Sequence, residues 1–354
     1  MTRGQAVVIG ATGQIGRAAV RALAEDGWEV RAASRGGGGD EPAPEGVRTV
    51  RLDREVDGAL AGVVGDGCDL LVDMVAYGAK HAGQLTGLAD RIGSAVVISS
   101  VAVYVDDRGR GFETQDEPDG SPRYPVPIPE TRPTVAPGDA TYATGKALLE
   151  QELLAVGDTL PVTLLRAGAI HGTHCGVPRE LYFVKRLLDG RRRRVLAYGG
   201  RSRFHPVHVS NVAELIRLAA LRPGSRVLNA GDPQAPTAAE IGEAIDAVMG
   251  RETETVLVDG PPPEGGIGDH PWCMEHPVVQ DMTAAERELG YRPVSGYAES
   301  LPETVGWLTE RLSGRDWEDA FPQLARSYGR EGLFGYAAED AWLERYDRGD
   351  VPGA

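Results

Sequence analysis

Five stretches of the chain are apolar at odd and even positions alike: QAVVIG (5–10), WEVRAAS (28–34), DLLVDMVA (69–76), SAVVISS (94–100) and PVTLLRAG (161–168). A strand with one wet face alternates polar and apolar residues. A strand covered on both faces does not. Helical patterns lie between these runs, at 13–26 and 141–156 among others. Buried strands alternating with helices predict a parallel sheet with right-handed crossovers, the doubly wound Rossmann-type α/β class.

Residues 105–140 break the pattern. They hold seven prolines and many charges, and YPVPIPE within them suits neither a helix nor a central strand. A loop this long, placed between a strand and a helix, is suited to cover a ligand. After Ala167 the texture changes to short strands (VLAYGG, RVLNAG, ETVLVDG) mixed with helices. Thr237 and Glu240 form a capping box opening a helix that runs to Met249. The expected organisation is a dinucleotide-binding domain at 1–167 and a smaller α/β substrate lobe at 168–312, with part of the chain returning to the first sheet. An aromatic-rich helical tail follows at 313–354. The tail reads as docked on the chain's own core, with a dimer contact or a lid as alternatives. RGGGGDEPAPEG (35–46) reads as a flexible loop.

Three scattered cysteines (Cys68, Cys175, Cys273) do not make a disulfide framework. No apolar run approaches the ~20 residues of a membrane helix, and the first ten residues lack a signal-peptide design. A cytoplasmic protein is expected. The net charge of −15 opposes nonspecific binding to nucleic acid or anionic lipid.

VVIGATGQIGRAAV (7–20) carries Gly10, Gly13 and Gly16 between an apolar strand and a helix. Glycines at such a turn allow a tight bend, close approach to a pyrophosphate and close helix–strand packing. The helix N-terminus adds N–H groups and a positive dipole end. Gly10, Thr12, Gly13, Gln14, Ile15 and Gly16 are therefore candidate cofactor contacts. Glycines used for packing alone are the alternative. RAASRGG ends the second strand with Ser34 and Arg35 and no carboxylate. An acidic residue there suits a ribose 2′-hydroxyl, an arginine a 2′-phosphate. NADP(H) is the expected cofactor, NAD(H) the alternative. Asp53 in VRLDRE is placed to accept from an adenine amino group or to cap the next helix.

TYATGKALLE places Tyr142 and Lys146 at i and i+4, on one helix face. An ammonium beside the phenol is expected to lower its pKa toward a useful value. The alternative is an exposed helix face. VVISSVAVY ends a strand with Ser99 and Ser100, either of which can bond a substrate oxygen or merely end the strand.

Together and in this order, GATGQIG, LVDMVAY, ISSVAVY, YATGK, LLRAGAIHG, HPVHVSNVAE and NAGDPQAPTAAEIG resemble the extended, epimerase-like branch of the short-chain dehydrogenase/reductase superfamily. VDMVAY and the SR after the second strand look most like an atypical subgroup. That subgroup includes the chloroplast stem-loop RNA-binding proteins and many bacterial proteins labelled epimerase or dehydratase. The resemblance implies that Tyr142 is the acid/base, Lys146 its electrostatic partner and Ser100, rather than Ser99, the oxygen-binding hydroxyl. It implies that Ala76 and Tyr77 line the cofactor cleft, that Ala169, Ile170 and His171 pass the nicotinamide amide, and that the protein is a homodimer. Val105 stands where the family usually has glycine, and Asn211 where it usually has aspartate.

HGTHC and FHPVH bring four histidines and a cysteine close in sequence, but their spacing matches no closed zinc site, and no metal is expected. Val101, Ala102, Arg203 and His205 are candidate substrate contacts. Val101 and Ala102 occupy the places where dehydratases of this family carry an Asp-Glu pair. GRRRRV (190–195) reads as a basic helix C-terminus favoured by the dipole. The expected function is NADP(H)-dependent hydride transfer at a hydroxyl or carbonyl carbon of a sugar-like or secondary-metabolite substrate. The alternatives are an epimerase of a sugar or sugar nucleotide with retained NAD(P), and a non-catalytic dinucleotide- or RNA-binding protein.

Overall fold

The computed structural model describes residues 3–36 and 44–351. The glycine-rich core of the expected loop at 35–46 lies outside the described residues. Cα packing divides the chain into two units. The first comprises 1–170, 207–232 and 280–295, the second 171–206, 233–279 and 296–354.

The first unit is built on a seven-stranded parallel sheet. Its first six strands in chain order are β1 (Gln5–Ile9), β2 (Glu29–Ser34), β3 (Val47–Arg51), β4 (Leu70–Asp73), β5 (Ala95–Ser100) and β6 (Val162–Ala167). Their spatial order is β6-β5-β4-β1-β2-β3, with strand Arg226–Ala230 added beside β6. Alternate residues of each strand feed opposite faces. Ala6 and Val8 pack under helix α1 (Gln14–Glu25) and helix Val209–Leu221. Val7 and Ile9 pack under α2 (Ala59–Val64), α3 (Ala79–Thr86) and α4 (Tyr142–Ala155). Both faces are therefore dry, which is why the strands read as unbroken apolar runs. Each Val, Leu or Ile side chain removed from water contributes about 1.5–3 kcal/mol.

The strand order reverses at β1, which pairs with β2 on one side and β4 on the other. Connections leave such a reversal in opposite directions, opening a crevice at the carboxyl ends of the strands.

Loop 105–140 is a folded element. Asp106 accepts from the backbone N–H of Arg108, Arg110 and Arg123 and from the Arg110 guanidinium. Burial works against its ionisation, but these bonds win and hold its carboxyl well below the usual range. Val105 donates to the Pro133 carbonyl at 3.0 Å.

Asn211 is fully buried. Its amide donates to Asp232 at 2.7 Å and to the Ser295 carbonyl at 2.8 Å, and accepts from Val294 N–H at 2.7 Å. A carboxylate could not donate the first two bonds, so the position calls for asparagine where the resemblance implied aspartate.

In the second unit, strands Arg193–Leu196 and Glu254–Leu257 pair in parallel. Helix Ala238–Met249 opens on Thr237 with the expected capping box. The basic run corrects one expectation. Helix Leu181–Leu188 ends before it, and Arg193 and Arg194 lie on a strand. Arg191 pairs with Glu339 and Asp340, Arg193 with Glu254 and Asp347, and Arg194 with Asp246. Carboxylates, not a helix dipole, neutralise these arginines. The aromatic-rich tail forms helices ending in Tyr336–Asp347, and Glu339 there is buried against Arg186 at 2.7 Å. No helix among the described residues is long and apolar enough to cross a membrane.

Candidate active site

A cavity of about 360 Å³ opens at the carboxyl ends of β1 to β4. Gly10, Thr12, Gly13, Ser34, Arg35, Asp53 and Tyr77 line it, as do Arg54, Glu55 and His81. Its floor is apolar: Ile9, Ala33, Leu52 and Val75. Gly10 turns the chain with φ +84°. A Cβ on Gly16 would overlap the Gly10 carbonyl oxygen and lie 2.7 Å from the Cα of Ala11, so only glycine lets α1 start this close to β1. Gly13 is the N-cap of α1. Gly13 brings no capping side chain of its own, and the first turn holds no acidic residue. The positive end of the helix borders the cavity at Gly13, a setting that suits an anion, and Gln14 and Ile15 form its first turn. These residues fit a dinucleotide pyrophosphate.

Arg35 is exposed on the rim and makes no ion pair among the described residues. Asp53 accepts from Glu55 N–H at 3.1 Å, closing a turn. It does not cap α2, whose N-cap is Gly58. Arg54 reaches inward to Asp73 with bonds of 2.9 and 2.7 Å, and to Gln84. Both members of that ion pair are buried. Sequence reasoning overlooked Arg54, Glu55 and His81. Arg54 and Glu55 follow Asp53 in a strand-end loop and His81 lies in the first turns of α3, and polar residues at such places resemble solvent-facing surface.

The structure brings Ser100, Tyr142 and Lys146 together at the ends of β5 and α4. Thr141 caps α4 and accepts from Thr144 N–H. That starts the helix at Tyr142 and puts Lys146 one turn further along the same face. Lys146 is 2 % exposed, and its ammonium donates to the carbonyls of Ala76 at 2.6 Å and Ile98 at 2.7 Å. Its Nζ lies 5.7 Å from the centroid of the Tyr142 ring. Burial lowers its pKa to about 8, against the fields of Asp73 and Glu150. The Tyr142 ring is half exposed. Desolvation of its hydroxyl raises the phenol's pKa, the nearby Ser100 hydroxyl lowers it, and the field of Tyr77 raises it again. The net direction is upward, which corrects the expected lowering by the lysine. Ser100 Oγ also accepts from Ala102 N–H at 3.1 Å, in the short turn Val101–Val103 that follows β5. Val101 is buried.

Ser99 is committed elsewhere. It donates to Glu150 at 2.5 Å, and Glu150 pairs with Arg166 at 2.6 Å. Arg166 donates to the Glu130 carbonyl and lies over the Tyr104 ring at 4.7 Å. The Tyr104 hydroxyl bonds Asn229 Oδ1 at 2.6 Å. This buried network joins β5, α4, β6, loop 105–140 and strand Arg226–Ala230.

Of the remaining expected contacts, Ala76 and Ala169 are buried. His171, Arg203 and His205 belong to the second unit. His171 packs against Tyr297 with ring centroids 4.8 Å apart and planes tilted by 50°, and His205 is buried with its backbone N–H on the Val278 carbonyl.

Solved structures share this fold. A UDP-N-acetylglucosamine 4-epimerase from Methanobrevibacter ruminantium M1 superimposes with TM-score 0.66 at 19 % identity, over 88 % of this chain and 100 % of that one. A UDP-N-acetylglucosamine 4-epimerase from Bacillus cereus gives 0.65 at 17 %, over 86 % and 99 %. A dTDP-glucose 4,6-dehydratase from Bacillus anthracis, solved with NAD, gives 0.64 at 20 %, over 88 % and 98 %. At these identities the likeness is one of fold. No curated protein sequence matches the chain. The family model for the NAD dependent epimerase/dehydratase family matches residues 6–231, nearly two thirds of the chain and every residue of the Ser100, Tyr142 and Lys146 arrangement, and the protein belongs to that family.

Proposed function

We propose that the protein binds a nicotinamide dinucleotide, NADP(H) in preference to NAD(H), and transfers hydride at a hydroxyl- or carbonyl-bearing carbon of a sugar-like or secondary-metabolite substrate. The observation that carries this reading is the convergence of the Ser100 hydroxyl and the Tyr142 phenol beside the buried Lys146 ammonium, at the strand ends next to the cavity that Gly10, Gly13 and Tyr77 line. Bound there, the dinucleotide would supply the hydride donor or acceptor. Tyr142 exchanges the proton of the substrate oxygen, Ser100 donates to that oxygen as charge develops, and Lys146 supplies a fixed positive charge in a dry setting. The preference for a 2′-phosphate rests on Arg35, a cavity-rim guanidinium with no ion-pair partner among the described residues.

Titration with NADPH and NADH, followed by Tyr142→Phe, tests the reading. Saturable dinucleotide binding with turnover reduced about 10²–10⁴-fold in the variant is the expected result. Failure to bind either dinucleotide defeats the reading.

One further reading draws on the solved structures, two of which are named as 4-epimerases. The same three side chains serve epimerisation when the cofactor stays bound between two opposite transfers. A dinucleotide that survives purification and is not consumed in turnover would favour it. Dehydration fits less well, because Val101 and Ala102 supply no acid or base beside Ser100. A homodimer is part of the proposal and is checked by sedimentation.

A further inference from the structure

Lys146 sits between two phenol rings. Its Nζ is 4.7 Å from the centroid of Tyr77 and 5.7 Å from that of Tyr142, and the two rings are 6.2 Å apart, tilted by 54°. Two of its three N–H groups donate to main-chain carbonyls. The third has no acceptor among the described residues. The charged groups around it are Asp73 at the end of β4, Glu150 on α4 and Arg54 beyond β3. Asp73 is bonded to Arg54, and Glu150 to Arg166 and Ser99. No carboxylate is left for the ammonium, and the nearest remaining electron density is the face of Tyr77, a cation–π arrangement.

The backbone holds Tyr77 at this place. Its N–H donates to His81 Nδ1 at 2.9 Å. The neutral imidazole then carries its proton on Nε2 and donates to Glu55 at 2.9 Å. On the other side, a Cβ at Gly145 would stand 2.7 Å from the Tyr77 carbonyl oxygen, so glycine is what lets α4 press its catalytic turn against this residue. Tyr77 is 53 % exposed and lines the cavity, while Lys146 beside its ring is buried.

We propose that Tyr77 is a positioning residue whose ring covers Lys146, keeping the ammonium dry and pinned on its two carbonyls, and turns aside when a ribose hydroxyl takes the third N–H. The last step rests on the dinucleotide reading above. The ring face, not the phenol hydroxyl, does the covering.

The chain has three lysines, Lys80, Lys146 and Lys185, so each can be followed separately by mass spectrometry. The experiment is acetylation with acetic anhydride across pH 6 to 11, on wild type, Tyr77→Phe and Tyr77→Ala without cofactor. Because desolvation is what depresses the Lys146 pKa, Tyr77→Ala should raise its labelling midpoint by about one pH unit and its alkaline plateau several-fold. Tyr77→Phe should match wild type, with Lys80 and Lys185 constant throughout. An unchanged Lys146 profile in Tyr77→Ala overturns the proposal, as does Tyr77→Phe behaving like Tyr77→Ala. Saturating NADPH should protect Lys146 in wild type. Absence of that protection, with the cofactor-free profiles as expected, would uphold the cover and defeat the dinucleotide reading.

Discussion

Glu113, in the middle of the long proline-rich loop, accepts the backbone N–H of Ala143, the residue after Tyr142, at 3.1 Å. A carboxylate thirty positions upstream thus sits on the opening turn of the helix that carries the acid/base candidate. Thr141 satisfies the next N–H, that of Thr144. Removing the carboxylate by Glu113→Ala should cost about 1 kcal/mol of local stability. Amide hydrogen exchange at Ala143 should accelerate roughly five-fold, with little change at the far end of α4. Unchanged exchange at Ala143 would show that the loop does not secure the helix.

The Glu150–Arg166 pair is buried, and Ser99 and the loop's Glu130 carbonyl bond to it. Truncating one member strands the other charge in the interior, which costs about 3–5 kcal/mol. Arg166→Ala should lose stability on that scale in urea unfolding. Replacing both by apolar residues of similar volume, Glu150→Leu with Arg166→Met, should recover much of the loss. If the double variant is as unstable as the single one, packing rather than charge explains the pair.

Lys146 gives the protein a pH signature. Its folded pKa of about 8 lies below its ordinary 10.5. Below pH 8 both folded and unfolded chains hold the proton, and the cost of burying the charge is present in full. Between 8 and 10.5 the folded chain has released the proton and the unfolded chain has not, so stability gains with rising pH, by up to about 3 kcal/mol. The unfolding free energy of wild type minus that of Lys146→Met should therefore increase from pH 8 to 10.5. A flat difference across that window would contradict the depressed pKa.

Arg35→Ala should weaken NADPH binding by about 10–100-fold, the scale of a charge-assisted hydrogen bond, and leave NADH nearly unaffected. Equal losses for the two dinucleotides would mean that Arg35 does not read a 2′-phosphate.

Gly16→Ala forces a methyl group into the Gly10 carbonyl oxygen. The start of α1 must move away from β1, costing about 1–3 kcal/mol. Dinucleotide affinity should fall at least ten-fold, as measured by NADPH fluorescence. Retained affinity would show that the helix start need not touch the pyrophosphate.

The sheet was legible because burial on both faces writes itself directly into composition, and every apolar run named from the sequence contains a strand. β3 carries no such mark: Arg48, Thr49 and Arg51 are exposed on an edge strand. Tyr142 and Lys146 were legible because helical spacing alone puts them on one face. The polar interior was not. Arg54 finds Asp73 nineteen residues on, and Tyr104 finds Asn229 at a separation of 125. Such pairs obey no period, and Glu150 in a helix pattern resembles any solvent-facing glutamate. The direction of the Tyr142 shift was misread for a related reason. Sequence showed the lysine but not the walls that dehydrate the phenol.

The clasp of Arg186 on Glu339 makes the final helix part of the second unit's interior charge balance, and Arg191 on Asp340 with Arg193 on Asp347 extends it to the surface. A shortened gene product stopping ahead of Glu339 would leave Arg186 buried without its counter-ion, so trimming this end to aid crystallisation should yield insoluble material rather than a smaller working enzyme.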